Sequence, residues 1–167
     1  MGKTTAGERE TVLRLSGITK RFGALLANDD ISLSLRRGEI LGLLGENGAG
    51  KTTLMNILFG HYVADAGEIE VEGEVLPPGL PAAALAAGIG MVHQHFTLAE
   101  NLTVLDNIVL GTESLWQFSS NSQKARTRIQ QLAQEFGLEV NPDAVVASLS
   151  VGERQRVEIL KALYRKA

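Results

Sequence analysis

Between the apolar run Ile40-Leu41-Gly42-Leu43-Leu44 and the helical spacing of Leu54, Ile57 and Leu58 lies Gly45-Glu46-Asn47-Gly48-Ala49-Gly50-Lys51-Thr52-Thr53. A strand, a glycine-rich loop and a helix in that order leave a chain few folds. The spacing Gly45-x-x-x-x-Gly50-Lys51-Thr52 is that of the phosphate-binding loop, in which glycines let successive backbone N–H groups turn inward around the phosphates of a nucleotide. Gly45, Glu46, Asn47, Gly48, Ala49, Gly50, Lys51, Thr52 and Thr53 are therefore the candidate nucleotide contacts, although Glu46 and Asn47 also suit a merely permissive loop. Lys51 opens the helix, where its ammonium reaches the β and γ phosphates and the first-turn N–H groups face the same anion. Thr52 supplies a hydroxyl for Mg²⁺. Near the N-terminus Gly2-Lys3-Thr4-Thr5 repeats the end of this motif, but no apolar strand or glycine turn precedes it, so it reads as coincidence.

The 167 residues suit one domain or part of one, and a hydrophobic content of 44% is enough for a packed core. The absence of cysteine excludes a disulfide framework, thiolate metal sites and cysteine nucleophiles, and fits a reducing compartment. A net charge of −3 argues against an ordinary nucleic-acid surface. The most apolar stretch, Leu80 to Val92, is broken by Pro81, Gly88 and Gly90 and is shorter than the ~20 residues a membrane helix needs. The N-terminus, with Lys3, Glu8, Arg9 and Glu10, lacks the apolar centre of a secretory signal. Any work at a membrane is expected of a peripheral subunit.

Residues 1–11 read as a disordered tail, and the domain is expected over 12–167. Val12-Leu13-Arg14-Leu15, Ile31-Ser32-Leu33-Ser34-Leu35 and Gly67-Glu68-Ile69-Glu70-Val71 alternate as half-buried strands do. Gly60 suits a C-cap for the first helix. Pro77-Pro78-Gly79 is a breaker, after which Ala82 to Ala87 suits a short helix and Ile89 to Val92 a buried strand. Helical patterns follow over Leu102 to Leu110 and through Ala125, Ile129, Leu132, Ala133 and Phe136, with Gly137 as the stop and the polar run Ser119-Ser120-Asn121-Ser122 as the loop between them. A last helix, Glu153 to Arg165, carries Val157, Leu160, Leu163 and Tyr164 on one side. Its local start signal is a capping box, with Ser150 as N-cap and Glu153 reaching back.

With the phosphate loop upstream and Gln94 between, Leu149-Ser150-Val151-Gly152-Glu153-Arg154-Gln155-Arg156 resembles the signature sequence of ATP-binding cassette ATPases. The resemblance extends from Val12 to Ala167, and implies an α/β phosphate-loop NTPase core with an N-terminal antiparallel β portion and a helical subdomain over about 96–150. It implies ATP and Mg²⁺ as ligands, Lys51 and Gln94 as catalytic residues, and Thr52 and Gln94 at the metal. Lys20-Arg21-Phe22-Gly23 resembles the adenine-stacking segment, which places Phe22 against the base; the simpler reading is a core aromatic. Ser150, Val151, Gly152 and Glu153 would cap the γ-phosphate of ATP held by a second cassette, an anion role that suits a helix N-terminus. Val151 and Glu153 replace the family's usual glycine and glutamine, whereas Ser150 and Gly152 keep its pattern. Met91-Val92-His93-Gln94-His95-Phe96 and the run from Ser150 to Leu163 look most like the first cassette of nucleoside and simple-sugar importers.

That likeness implies solute import powered by ATP binding and hydrolysis, a peripheral position at the cytoplasmic face of the cell membrane, and membrane permease subunits as partners. The apolar group Phe96, Leu98, Leu102 and Leu105 follows Gln94, where the family forms a groove for a helix of the membrane subunit. No nucleic acid is expected. The family's Asp-Glu (Walker B) strand and switch histidine would follow the signature helix, and the sequence ends at Ala167, so the chain is expected to be an N-terminal fragment with little hydrolysis of its own. Two alternatives stay open: a soluble cassette ATPase acting on nucleic acid or the ribosome, and a nucleotide-binding module without hydrolysis. His93 and His95 offer a His-x-His metal pair, against which packing beside Phe96 is the simpler reading. Trp116 and Phe118 suit packing over the helices, or a partner.

Overall fold

A computed structural model describes residues 10–93, 96–111 and 118–167. The chain divides into two compact units, Met1–Ala87 and Gly88–Ala167. The first is built on β1 (Thr11–Phe22), β2 (Leu25–Arg36), α1 (Lys51–Phe59), β3 (Ala66–Val71), β4 (Glu74–Val75) and α2 (Pro81–Ala86). Its strands form one antiparallel sheet in the order β2-β1-β3-β4. Tight hairpins join β1 to β2 and β3 to β4, and the long-range pairing of β1 with β3 completes the order. Gly23, at φ 58°, opens the two-residue turn between β1 and β2, and Glu72 with Gly73, at φ 51° and 84°, makes the doubly left-handed turn that matches strand twist. Thr11 pairs with Arg36, so β1 begins inside the stretch that reads as tail.

Strand register then decides which side chains are covered, and the irregularity between Leu15 and Ile18 lets two residues three apart in β1 share the interior. Leu15, Ile18 and Ile69 leave the sheet for the interior, where Leu54 and Ile57 of α1, Leu76 and Ala84 are also buried. Helix α1 ends as its sequence indicates: Gly60, left-handed at φ 86°, is the C-cap and its N–H donates to the Ile57 carbonyl at 3.0 Å.

The two short buried strands read from apolar runs do not form. Residues 39–46 carry no regular structure, and Ile40 and Leu44 are 98% and 93% exposed. Ile89 to Val92 is likewise irregular. A continuous apolar run marks a strand covered on both faces and paired on both edges, and among the described residues no strand pairs with either segment.

The second unit is helical: α3 (Val104–Val109), α4 (Phe118–Phe136), a 3-10 turn at Val146–Ser148, and α5 (Val151–Tyr164). Val104, Ile108, Ile129, Val146, Val157 and Leu160 are its most enclosed apolar residues. The 3.6-residue spacing holds for Ala125, Ile129, Leu132 and Ala133, while Phe136 is 50% exposed at the last turn. Ser119, Ser120, Asn121 and Ser122 lie within α4 instead of forming a loop. Serine and asparagine are weak breakers in a first turn, where the backbone N–H groups lack intrahelical partners anyway. Among the described residues no helix is long and apolar enough to cross a membrane.

Candidate functional site

Helix α1 starts where the glycines allow it. Gly48 and Gly50 hold φ 86° and 81°, a left-handed conformation that costs glycine little and other residues much. Gly50 is the N-cap and is pressed onto β2: a Cβ there would collide with the Ala27 carbonyl oxygen and stand 2.9 Å from Asn28 Nδ2. The Gly50 carbonyl accepts from Leu54 N at 2.9 Å and from Asn28 Nδ2 at 3.3 Å. No side-chain cap and no acidic residue occupies the first turn of α1. The positive pole of the helix and its first N–H groups thus meet no opposing carboxylate within that turn.

Lys51 closes this loop. Its Nζ donates to the carbonyls of Gly45 at 2.6 Å and Glu46 at 2.7 Å, and Ala49 N donates to Glu46 O at 3.2 Å. An ammonium carries three donors, so the clip that gathers Gly45, Glu46 and Lys51 leaves one for an anion in the loop's mouth. Thr52 is exposed and Thr53 half-buried in the same turn. A hydroxyl with phosphate oxygens and water suits Mg²⁺, which keeps several waters and takes few protein ligands. Among the described residues no group of three or more His, Asp and Glu could hold a metal ion by itself.

Phe22 is 43% exposed and so is not a core aromatic. It meets Tyr62 edge-to-face, with centroids 5.6 Å apart at 75°, and the Lys20 ammonium lies 5.4 Å from its centroid. Asp65 organises this corner, accepting from Lys20 Nζ at 3.0 Å and Arg21 N at 2.7 Å. Those bonds, Lys20 first, hold its carboxyl below the usual aspartate value.

In the second unit Ser150 caps α5 in the reciprocal box its sequence indicates. Glu153 N donates to Ser150 Oγ at 3.3 Å, and Ser150 N and Oγ donate to Glu153 Oε2 at 2.8 and 2.6 Å. The Ser150 hydroxyl, followed by its N–H, holds the Glu153 carboxyl below its usual value. Val151 and Gly152 are exposed beside it. Gln94 and His95 lie outside the described residues, as do Trp116 and the Gly2-Lys3-Thr4-Thr5 copy.

Just after Gln94, two buried polar side chains grip the backbone. Glu158 of α5, 4% exposed, accepts from Thr97 N at 2.6 Å and Thr97 Oγ1 at 2.9 Å through one oxygen. Asn107 of α3, 1% exposed, accepts from Ala99 N at 2.7 Å and donates to Ala99 O at 3.0 Å. Leu98 between them is partly buried against the helical core, while Leu105 is buried in it and so does not line an open groove.

Sequence reasoning missed Asn28, Tyr62, Asp65 and Glu158. Asn28 had a signal: the polar run Asn28-Asp29-Asp30 interrupts an otherwise alternating strand. Tyr62 and Asp65 are distant from Phe22 in sequence and only the fold unites them.

Residues 28–167 match the family model described as ABC transporter. The chain is 49% identical to the nucleoside import ATP-binding protein NupA of Lactococcus lactis, over 95% of this chain and 31% of that protein. It is 48% identical to the guanosine import ATP-binding protein NupO of Bacillus subtilis, again over 95% of this chain and 31% of that protein. The chain thus spans about a third of the length of these curated relatives. Among solved structures, a nucleotide-free ATP-binding cassette from an ABC transporter superposes with a TM-score of 0.78 at 28% identity, covering 93% of this chain and 65% of that one.

Proposed function

Because the chain belongs to the ABC transporter family, we propose that it is the ATP-binding part of a subunit that powers import of a nucleoside or simple sugar. The observation that carries the reading is the phosphate loop itself, clipped by Lys51 at the unopposed N-terminus of α1. The names of the relatives supply the solute class. Lys51 and the first-turn N–H groups hold the phosphates, Phe22 with Tyr62 receives the base, and Thr52 and Gln94 take the metal. Mg²⁺, when bound, neutralises phosphate charge and fixes phosphate orientation.

Ser150 and Gly152 at the start of α5 cap the γ-phosphate held by a second cassette, with Val151 and Glu153 at its border. The ATPase works from the cytoplasmic face of the membrane as a peripheral partner of permease subunits, and hydrolysis by the whole protein resets the assembly. A test uses the whole protein in cells: Lys51→Ala should abolish uptake of labelled nucleoside and ribose while the permease subunits still co-purify with it. Uptake at the wild-type rate refutes the reading.

A further inference from the structure

We propose that Asn28 is a positioning residue for the phosphate loop: by holding the Gly50 carbonyl against β2, it sets the direction in which the Lys51 N–H meets a phosphate. The inference rests on the phosphate-site reading above. Asparagine is disfavoured within a strand, and a buried amide is costly unless its polar atoms are paired. Yet Asn28 is 5% exposed, and its Oδ1 is buried without a hydrogen-bond partner. An apolar side chain of similar size would fill this place without that cost. What the amide adds is one donor, Nδ2, aimed at the Gly50 carbonyl at 3.3 Å. Turning the amide over would set oxygen against oxygen, so the assignment of Nδ2 follows from the partner.

The peptide plane carries the effect onward. In a trans peptide the Gly50 C=O and the Lys51 N–H point in opposite directions, so fixing the carbonyl toward β2 aims the N–H away from it, toward the loop's mouth. Leu54 N takes the same carbonyl from the helix side at 2.9 Å. Helix and strand thereby fix one peptide plane from two directions. Only glycine permits this approach, since a Cβ at position 50 would strike the Ala27 carbonyl.

Calorimetric titration with Mg·ATP and with adenosine, on wild type, Asn28→Leu and Asn28→Asp, tests the proposal. Asn28→Leu should weaken Mg·ATP by about tenfold or more, the range of one hydrogen bond to a charged site, and leave adenosine nearly unchanged. Asn28→Asp keeps the shape but faces a carbonyl with a carboxylate, so it should bind Mg·ATP poorly at pH 8. Relative to wild type at each pH, it should recover as acid protonates the new carboxyl into a donor. If the variants do not fold, wild-type nitrogen-resolved NMR decides: the Asn28 side-chain protons should exchange slowly and shift with Mg·ATP but not adenosine. Wild-type Mg·ATP affinity in both folded variants, or Asn28 protons unmoved by Mg·ATP, overturns the positioning role alone. Failure of wild type to bind Mg·ATP overturns the phosphate-site reading together with it.

Discussion

Replacing Lys51 by alanine separates what the ammonium does for the loop from what it does for a nucleotide. In the free protein Nζ serves the carbonyls of Gly45 and Glu46. Both residues are exposed, so water takes over those acceptors when the side chain is removed. Folding stability should therefore change by no more than about 0.5–1 kcal/mol. Bound phosphate is different, because its oxygens lose a charge-assisted donor that water replaces poorly inside the loop. One such contact is worth ~1.5–3 kcal/mol, or roughly 10- to 150-fold in affinity. Titration of both proteins with Mg·ATP, with adenosine as control, measures the difference. The variant should melt within a few degrees of the wild type, lose Mg·ATP affinity by that factor and bind adenosine as the wild type does. Equal Mg·ATP affinities would refute the reasoning, and an equal loss for adenosine would show a collapsed loop instead of a lost phosphate contact.

Two further substitutions probe the helix start and the aromatic corner. Ser150→Ala removes the N-cap of α5 and should cost ~0.5–2 kcal/mol in urea unfolding; Glu153→Gln, which keeps an acceptor oxygen for Ser150, should cost less, and the reverse order would contradict the capping account. Asp65 should make stability acid-sensitive: its carboxyl is held below the ordinary value of 3.8, chiefly by Lys20 and then by Arg21 N, so its contribution is complete above that value and is lost as pH falls through its lower folded value. The melting-temperature gap between wild type and Asp65→Asn should thus close with acid, and a gap unchanged down to pH 2 would remove Asp65 from the account.

Local rules made much of the fold legible. Gly60 as a C-cap, the capping box at Ser150, and the alternation of Leu13, Leu15 and Ile69 each act within a few residues, and each produced its element. The apolar runs at Ile40 and Ile89 carry no such local instruction. Their strand state depends on neighbours in space, and composition alone cannot supply the pairing. The candidate site divides the same way. Lys51 and the left-handed Gly48 and Gly50 follow from a contiguous motif. Asn28, Tyr62 and Glu158 act on residues 22, 40 and 61 positions away, a distance over which no periodicity reaches.

The grip of Glu158 on Thr97 and of Asn107 on Ala99 bears on how motion passes through the helical unit. The segment at Thr97 and Ala99 takes backbone partners from α5 on one side and α3 on the other, with Leu98 seated in the core between. Moving this segment away from those helices would leave the Glu158 and Asn107 oxygens buried and unpaired, at a cost of about 1–3 kcal/mol for each, so Thr97 and Ala99 stay with α5 and α3 unless the helical unit itself opens.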